Sequence, residues 1–166
     1  EEFSPFHAAF DQSNVRFAFE YLLGSFVYLF GYDGAHAIAR VAMAVFYAAG
    51  LTCFFRSLGL SALDSLLTLL IFEWAGAQLL GGEWLFSGVE SKTLAYAWLF
   101  FAFGWANRGR WRATIIACAA ATYMHFLVSG FWTLVILLLH WRQSRDARAS
   151  GKALLLYCVL TLPLLA

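Results

Sequence analysis

Charge is scarce in this 166-residue chain: Asp, Glu, Lys and Arg make up 13% of it, about half of what a soluble domain carries. Set against an apolar fraction of 62% and a mean hydropathy of +0.71, that shortage excludes an ordinary soluble domain. Cysteine is nearly as rare. Cys53, Cys118 and Cys158 lie inside apolar segments, at spacings that suit neither a thiolate metal site nor a disulfide framework, and read as small buried hydrophobes. His7, His36, His125 and His140 share no metal-ligand spacing. No glycine-rich phosphate loop and no dinucleotide fingerprint is present, which argues against soluble nucleotide chemistry. The net charge of +1 gives no reason to expect nucleic acid as a partner. No signal peptide is visible, and the chain opens on Glu1-Glu2-Phe3 and closes inside an apolar run. It is expected to be a fragment of a longer protein, with 1–166 forming one membrane-embedded domain.

What the chain does have is apolar runs long enough for a hydrocarbon core of about 30 Å. The expected fold is all-α: a polytopic helical membrane protein with an interfacial N-terminal helix and a short helical hairpin at 113–141. Its first partner is therefore the lipid bilayer. Residues 15–31 are aromatic but carry Arg16 and Glu20 at an i, i+4 spacing, which favours a helix lying in the interface, ended by a turn at Tyr32-Asp33-Gly34. Residues 35–55 form the expected first span and 60–80 the second, joined by a connection so short that an antiparallel hairpin should result. Ser87 and Glu90 have capping-box spacing for a helix over 89–105. Arg142 to Lys152 reads as a basic loop before a last span from Ala153.

Charge bias supplies a topology. Position 56 and the stretches 107–112 and 142–152 hold eight of the eleven basic residues, and the positive-inside rule places all three in the cytoplasm. Both ends of 113–141 then lie on one face, so this stretch must turn back on itself. It should form two helices of about 14 residues with an apex between His125 and Phe131. The same reasoning puts the N-terminal segment and residues 82–92 outside, facing that apex.

Ionisable residues at membrane depth are candidates for function. Arg40 and Glu73 fall at similar depth on helices expected to be adjacent, which predicts an ion pair, structural or substrate-binding. Glu83, Glu90, Lys92 and His125 collect on the outer face, supplying carboxylate bases, a cation for phosphate and a titratable imidazole. Each has a plainer reading: a helix cap for Glu90, solvated loop charges for Glu83 and Lys92, a hydrogen-bonded packing residue for His125. Ser129 lacks the glycine two positions earlier that an intramembrane serine protease motif requires, since Leu127 stands there.

The stretch Glu90-Ser-Lys-Thr-Leu-Ala-Tyr-Ala, through Arg108-Gly-Arg-Trp, to His125-Phe-Leu-Val-Ser-Gly-Phe-Trp resembles the multi-spanning GT-C class glycosyltransferases and related bacterial polytopic membrane proteins. The resemblance implies transfer of a sugar from a polyprenyl-phosphate carrier to an acceptor on the outer face of a bacterial inner membrane. It implies a carboxylate base among Glu90, Glu83 and Asp11, with His125 orienting or protonating a leaving oxygen. Lys92 and Arg40 would hold the lipid-linked phosphate, and a divalent cation is the one cofactor it leaves open. Asp11 lacks the second acidic residue two positions away that the family frequently carries. The reading from a different class is a non-catalytic subunit of a larger membrane complex, binding lipid or pigment alongside other membrane subunits. His125 or His36 would then be the axial ligand of a pigment.

Overall fold

The computed structural model describes residues 17–74 and 89–164. Among these the chain is all-helical: α1 (Phe17–Ser57), α2 (Ala62–Trp74), α3 (Ser91–Asn107), α4 (Trp111–Met124), α5 (Phe126–Ser144) and α6 (Ala147–Thr161), closed by a 3₁₀ turn at Leu162–Leu164. Three stretches are long and apolar enough to cross a membrane: Ala18–Ser57, Phe126–Ser144 and Ala147–Leu164.

α1 is broken at Gly31, whose φ of 68° and ψ of 172° lie outside the helical region and are open to glycine alone without strain. Phe19 and Phe26, before the break, line the same apolar cleft as Ala39 and Phe46 after it, so the chain folds back at this point. The turn expected at Tyr32-Asp33-Gly34 is thus made at Gly31, and those three residues are helical. The expected interfacial helix corresponds to 17–30, which packs against the following arm.

α1 ends in a Schellman motif, with Gly59 at φ 79° and the Leu60 N–H donating to the Phe55 carbonyl at 3.1 Å. Ser61 and Asp64 then form a reciprocal cap: the Ser61 amide and hydroxyl both donate to Asp64 Oδ2, at 3.0 and 2.6 Å, and the Asp64 amide donates to Ser61 Oγ at 3.2 Å. This cap moves the start of the second helix from the expected residue 60 to Ala62. Ser61→Ala should cost that helix about 1 kcal/mol and speed amide exchange across its first turn, as hydrogen-deuterium exchange would read. α2 does not form the expected antiparallel hairpin with α1. Leu69 reaches the core, whereas Leu63, Leu66, Leu70 and Ile71 stay exposed.

α3 and α4 are the centre of the bundle. α3 packs against α1, α4 and α5, and α4 against α3, α5 and α6. Leu99, Ala102, Ile115, Ala117, Cys118 and Ile136 are almost completely buried between them. α1 and α3 run parallel and touch through glycine: a Cβ on Gly50 would meet the Ala97 carbonyl oxygen at 2.7 Å, and one on Gly104 would meet Cys53 Sγ at 2.8 Å. Asn107 Nδ2 donates to Ser57 Oγ at 3.0 Å and Arg108 to the Cys53 carbonyl at 3.4 Å, latching the two C-termini together.

The stretch 113–141 is a hairpin, as charge bias required. Trp111 and His140 stack at 3.9 Å at its open end, and the helices break at His125, whose φ of −154° and ψ of 101° are extended. Its arms are unequal, 14 and 19 residues, because the turn is made by His125 alone; Ser129 and Gly130, expected within the apex, continue α5. The basic stretch 142–152 is not an open loop. Asp146 accepts from the Arg148 amide at 2.8 Å, caps α6 and starts the helix at Ala147, so Arg148 and Lys152 are helical. α6 runs parallel to α4, with the Thr122 and Tyr157 hydroxyls 2.9 Å apart and Tyr123 donating to the Leu160 carbonyl at 2.9 Å. Of the three cysteines only Cys118 is fully buried; Cys158 is exposed and Cys53 intermediate.

Candidate functional site

The antiparallel registers sort the polar residues into two ends. Thr114 Oγ1 donates to the Ala102 carbonyl, which sets α4 against α3, and the Trp111–His140 stack sets α5 against α4. The start of α3, the break at His125 and the end of α6 therefore share one end. The arginine-bearing turns share the other.

At the first end Glu90 is the N-cap residue of α3. Its φ of −131° and ψ of 150° are extended, and its side chain accepts no capping bond. The carboxylate instead meets the ammonium of Lys92, Oε2 to Nζ 3.4 Å, with both side chains in partial contact with solvent. The helix thus begins at Ser91, two residues later than expected, and Ser87 lies outside the described residues. Ser91 and Thr93 are buried behind the pair, and Thr93 Oγ1 has no hydrogen-bond partner. A carboxylate and an ammonium at an uncapped helix start can serve as a base beside an anion subsite, since the first-turn amides add positive potential.

His125 closes α4 and caps α5. Its Nδ1 accepts from the Val128 amide at 3.4 Å, a long and weak bond. An accepting Nδ1 places the ring proton on Nε2. Beside this end an apolar cleft of about 240 Å³ runs between the two arms of α1 and the start of α3. Val89 and Leu94, which bracket the Glu90–Lys92 pair in sequence, are part of its wall.

Structure and sequence part company elsewhere. Arg40 is exposed on α1 and has no ion pair with the described residues. The side chain of Glu73 lies outside the described residues, as do Asp11 and Glu83. The packed α1–α2 hairpin that was to bring Arg40 and Glu73 together is not formed. Among the described residues no group of three or more His, Cys, Asp or Glu could hold a metal ion. Features missed from sequence include the Thr122–Tyr157 and Tyr123–Leu160 bonds, which fix α6 beside the break. Hydroxyls on small and aromatic residues gave no periodic signal for them.

Fold and site together define an all-helical protein with helices able to cross a membrane and a polar site at one end of the bundle. The chain matches no family model, no curated protein and no solved structure.

Proposed function

We propose that this protein belongs to the GT-C type of membrane glycosyltransferases and takes a sugar from a polyprenyl-phosphate carrier in a bacterial inner membrane. The observation that carries the reading is the apolar cleft walled by Val89 and Leu94, which bracket the Glu90–Lys92 pair. A lipid phosphate is an anionic head on a hydrocarbon tail, and this end offers an ammonium and helix amides next to an apolar channel. Lys92 holds the phosphate and Glu90 accepts the acceptor's proton. His125, through Nε2, donates to the leaving oxygen. The arginine-bearing end lies in the cytoplasm and the Glu90 end outside, in keeping with the positive-inside rule.

The test is transfer from a synthetic polyprenyl-phosphate sugar by the reconstituted protein. Lys92→Gln should raise KM for the carrier about tenfold or more while the helical circular dichroism is unchanged. An unchanged KM would overturn the assignment of Lys92. The alternative, a non-catalytic subunit of a larger membrane complex, is favoured by the exposed Leu63, Leu66, Leu70 and Ile71 of α2. Co-purifying subunits, or visible absorbance from a bound pigment, together with no transfer, would support it.

A further inference from the structure

The opposite end of the bundle carries Arg56, Arg108, Arg110, Arg112, Arg142, Arg145, Arg148 and Lys152. The two acids described there are occupied elsewhere: Asp64 caps α2 through Ser61, and Asp146 caps α6. Among the described residues none of these eight cations is paired with a carboxylate, the ion pair present being Glu90–Lys92 at the other end. Part of this charge has an internal use. Arg108 bonds the Cys53 carbonyl, and Arg56 and Arg142 sit in the last turns of α1 and α5, where they oppose the negative ends of those helices. Arg110, Arg112 and Arg148 have no such role, and they and Arg145, the C-cap residue of α5, are exposed.

Arg110 and Arg112 flank an uncapped helix start, and Arg145 and Arg148 lie at the same end of the bundle. α4 begins at Trp111 with Arg110 at the N-cap, and no side chain caps its first-turn amides. His140 is 94% buried, since its exposure is 6%, and lies flat on the Trp111 ring at 3.9 Å. Its Nδ1 is buried and has no hydrogen-bond partner. A buried, unpartnered ring nitrogen costs stability unless a partner meets it, and its ring stacks on Trp111, the first residue of a helix with open amides. Trp141, 58% exposed beside it, suits the level of lipid headgroups.

We propose that this end is a binding site for the phosphate headgroup of an anionic phospholipid of the surrounding leaflet. The headgroup oxygens accept from the α4 amides and from His140, and Arg110, Arg112 and Arg145 neutralise the charge. The site is independent of the one proposed around Glu90, so either can fail alone. It also gives the arginines a use beyond setting topology: bound anionic lipid relieves the repulsion of an unpaired cluster.

The experiment is native mass spectrometry of the purified full chain in neutral detergent. Phosphatidylglycerol and phosphatidylcholine of the same acyl chains are added in turn. Anionic lipid should bind more tightly, with an advantage that shrinks as salt is raised. The triple variant R110Q/R112Q/R145Q should lose affinity for phosphatidylglycerol, about fivefold for each arginine removed, and keep its affinity for phosphatidylcholine. His140→Phe preserves the stack and the net charge, so a diffuse electrostatic attraction would leave it unchanged, whereas the built site loses severalfold. Equal binding of the two lipids by the wild-type chain would overturn the proposal even if the triple variant fails to fold. Undiminished phosphatidylglycerol affinity in His140→Phe would overturn the built site.

Discussion

Gly104→Ala is expected to destabilise the protein by about 2 kcal/mol, and Gly104→Val by more, although each adds only a small apolar group to an apolar bundle. The new Cβ would sit 2.8 Å from Cys53 Sγ and 2.9 Å from the Cys53 carbonyl oxygen. A flexible side chain could turn away, but the carbonyl belongs to a helix, so α1 and α3 must separate. Separation also strains the Asn107–Ser57 and Arg108–Cys53 bonds, which need the two ends in contact. Gly50→Ala should act in the same direction, because its Cβ would meet the Ala97 carbonyl oxygen at 2.7 Å. Gly130→Ala is the contrast. Nothing lies within 4 Å of a Cβ at that position in α5, so the helix should gain about 0.5–1 kcal/mol from the better helix former. Unfolding by denaturing detergent, followed through helical circular dichroism, gives the order Gly130→Ala, wild type, Gly104→Ala. If Gly104→Ala unfolded no earlier than wild type, the close approach of α1 and α3 would not be what holds the bundle.

These glycines show what sequence could and could not disclose. The hairpin was legible because it follows from charge: two basic stretches assigned to one face force the intervening 29 residues to return, and His125 is the polar residue available to break them. The unequal arms were not legible, since Ser129 and Gly130 look like turn residues, whereas the chain breaks at His125 and both continue the helix that starts at Phe126. The break at Gly31 was placed one residue late, because Tyr32-Asp33-Gly34 has turn composition, whereas the positive φ falls on the glycine before it. Nothing local distinguishes Gly50 and Gly104 among thirteen glycines; their role depends on a parallel helix contact between distant segments. Site placement followed the same rule. On a helix, residues two apart do not face each other, so Glu90 and Lys92 would not have been paired by helical periodicity. They meet because Glu90 is extended at the N-cap and its side chain turns back over the first turn.

His125 is the residue where structural and catalytic readings make opposite forecasts. As a cap it contributes through Nδ1, which accepts from the Val128 amide at 3.4 Å. Asparagine, a good N-cap, should replace that role at little cost, while alanine should lose about 1 kcal/mol. As a catalytic group it contributes through the proton on Nε2, which neither asparagine nor alanine supplies. Under the proposed transfer reaction, His125→Asn should therefore stay as stable as wild type and lose about 10²–10⁴-fold in kcat. Glu90→Gln should fall by a similar factor. Glutamine cannot accept the acceptor's proton, but it keeps the volume of the residue beside Lys92 and leaves α3, uncapped in wild type, no worse capped. The pH profile separates the two. Loss of the base should remove the acidic limb of the kcat profile in Glu90→Gln, whereas His125→Asn, which removes a neutral hydrogen-bond donor, should lower kcat evenly across the pH range. A protein in which His125→Asn keeps full transfer has a histidine that only turns the chain, and the lipid phosphate must then leave without a hydrogen bond from this residue.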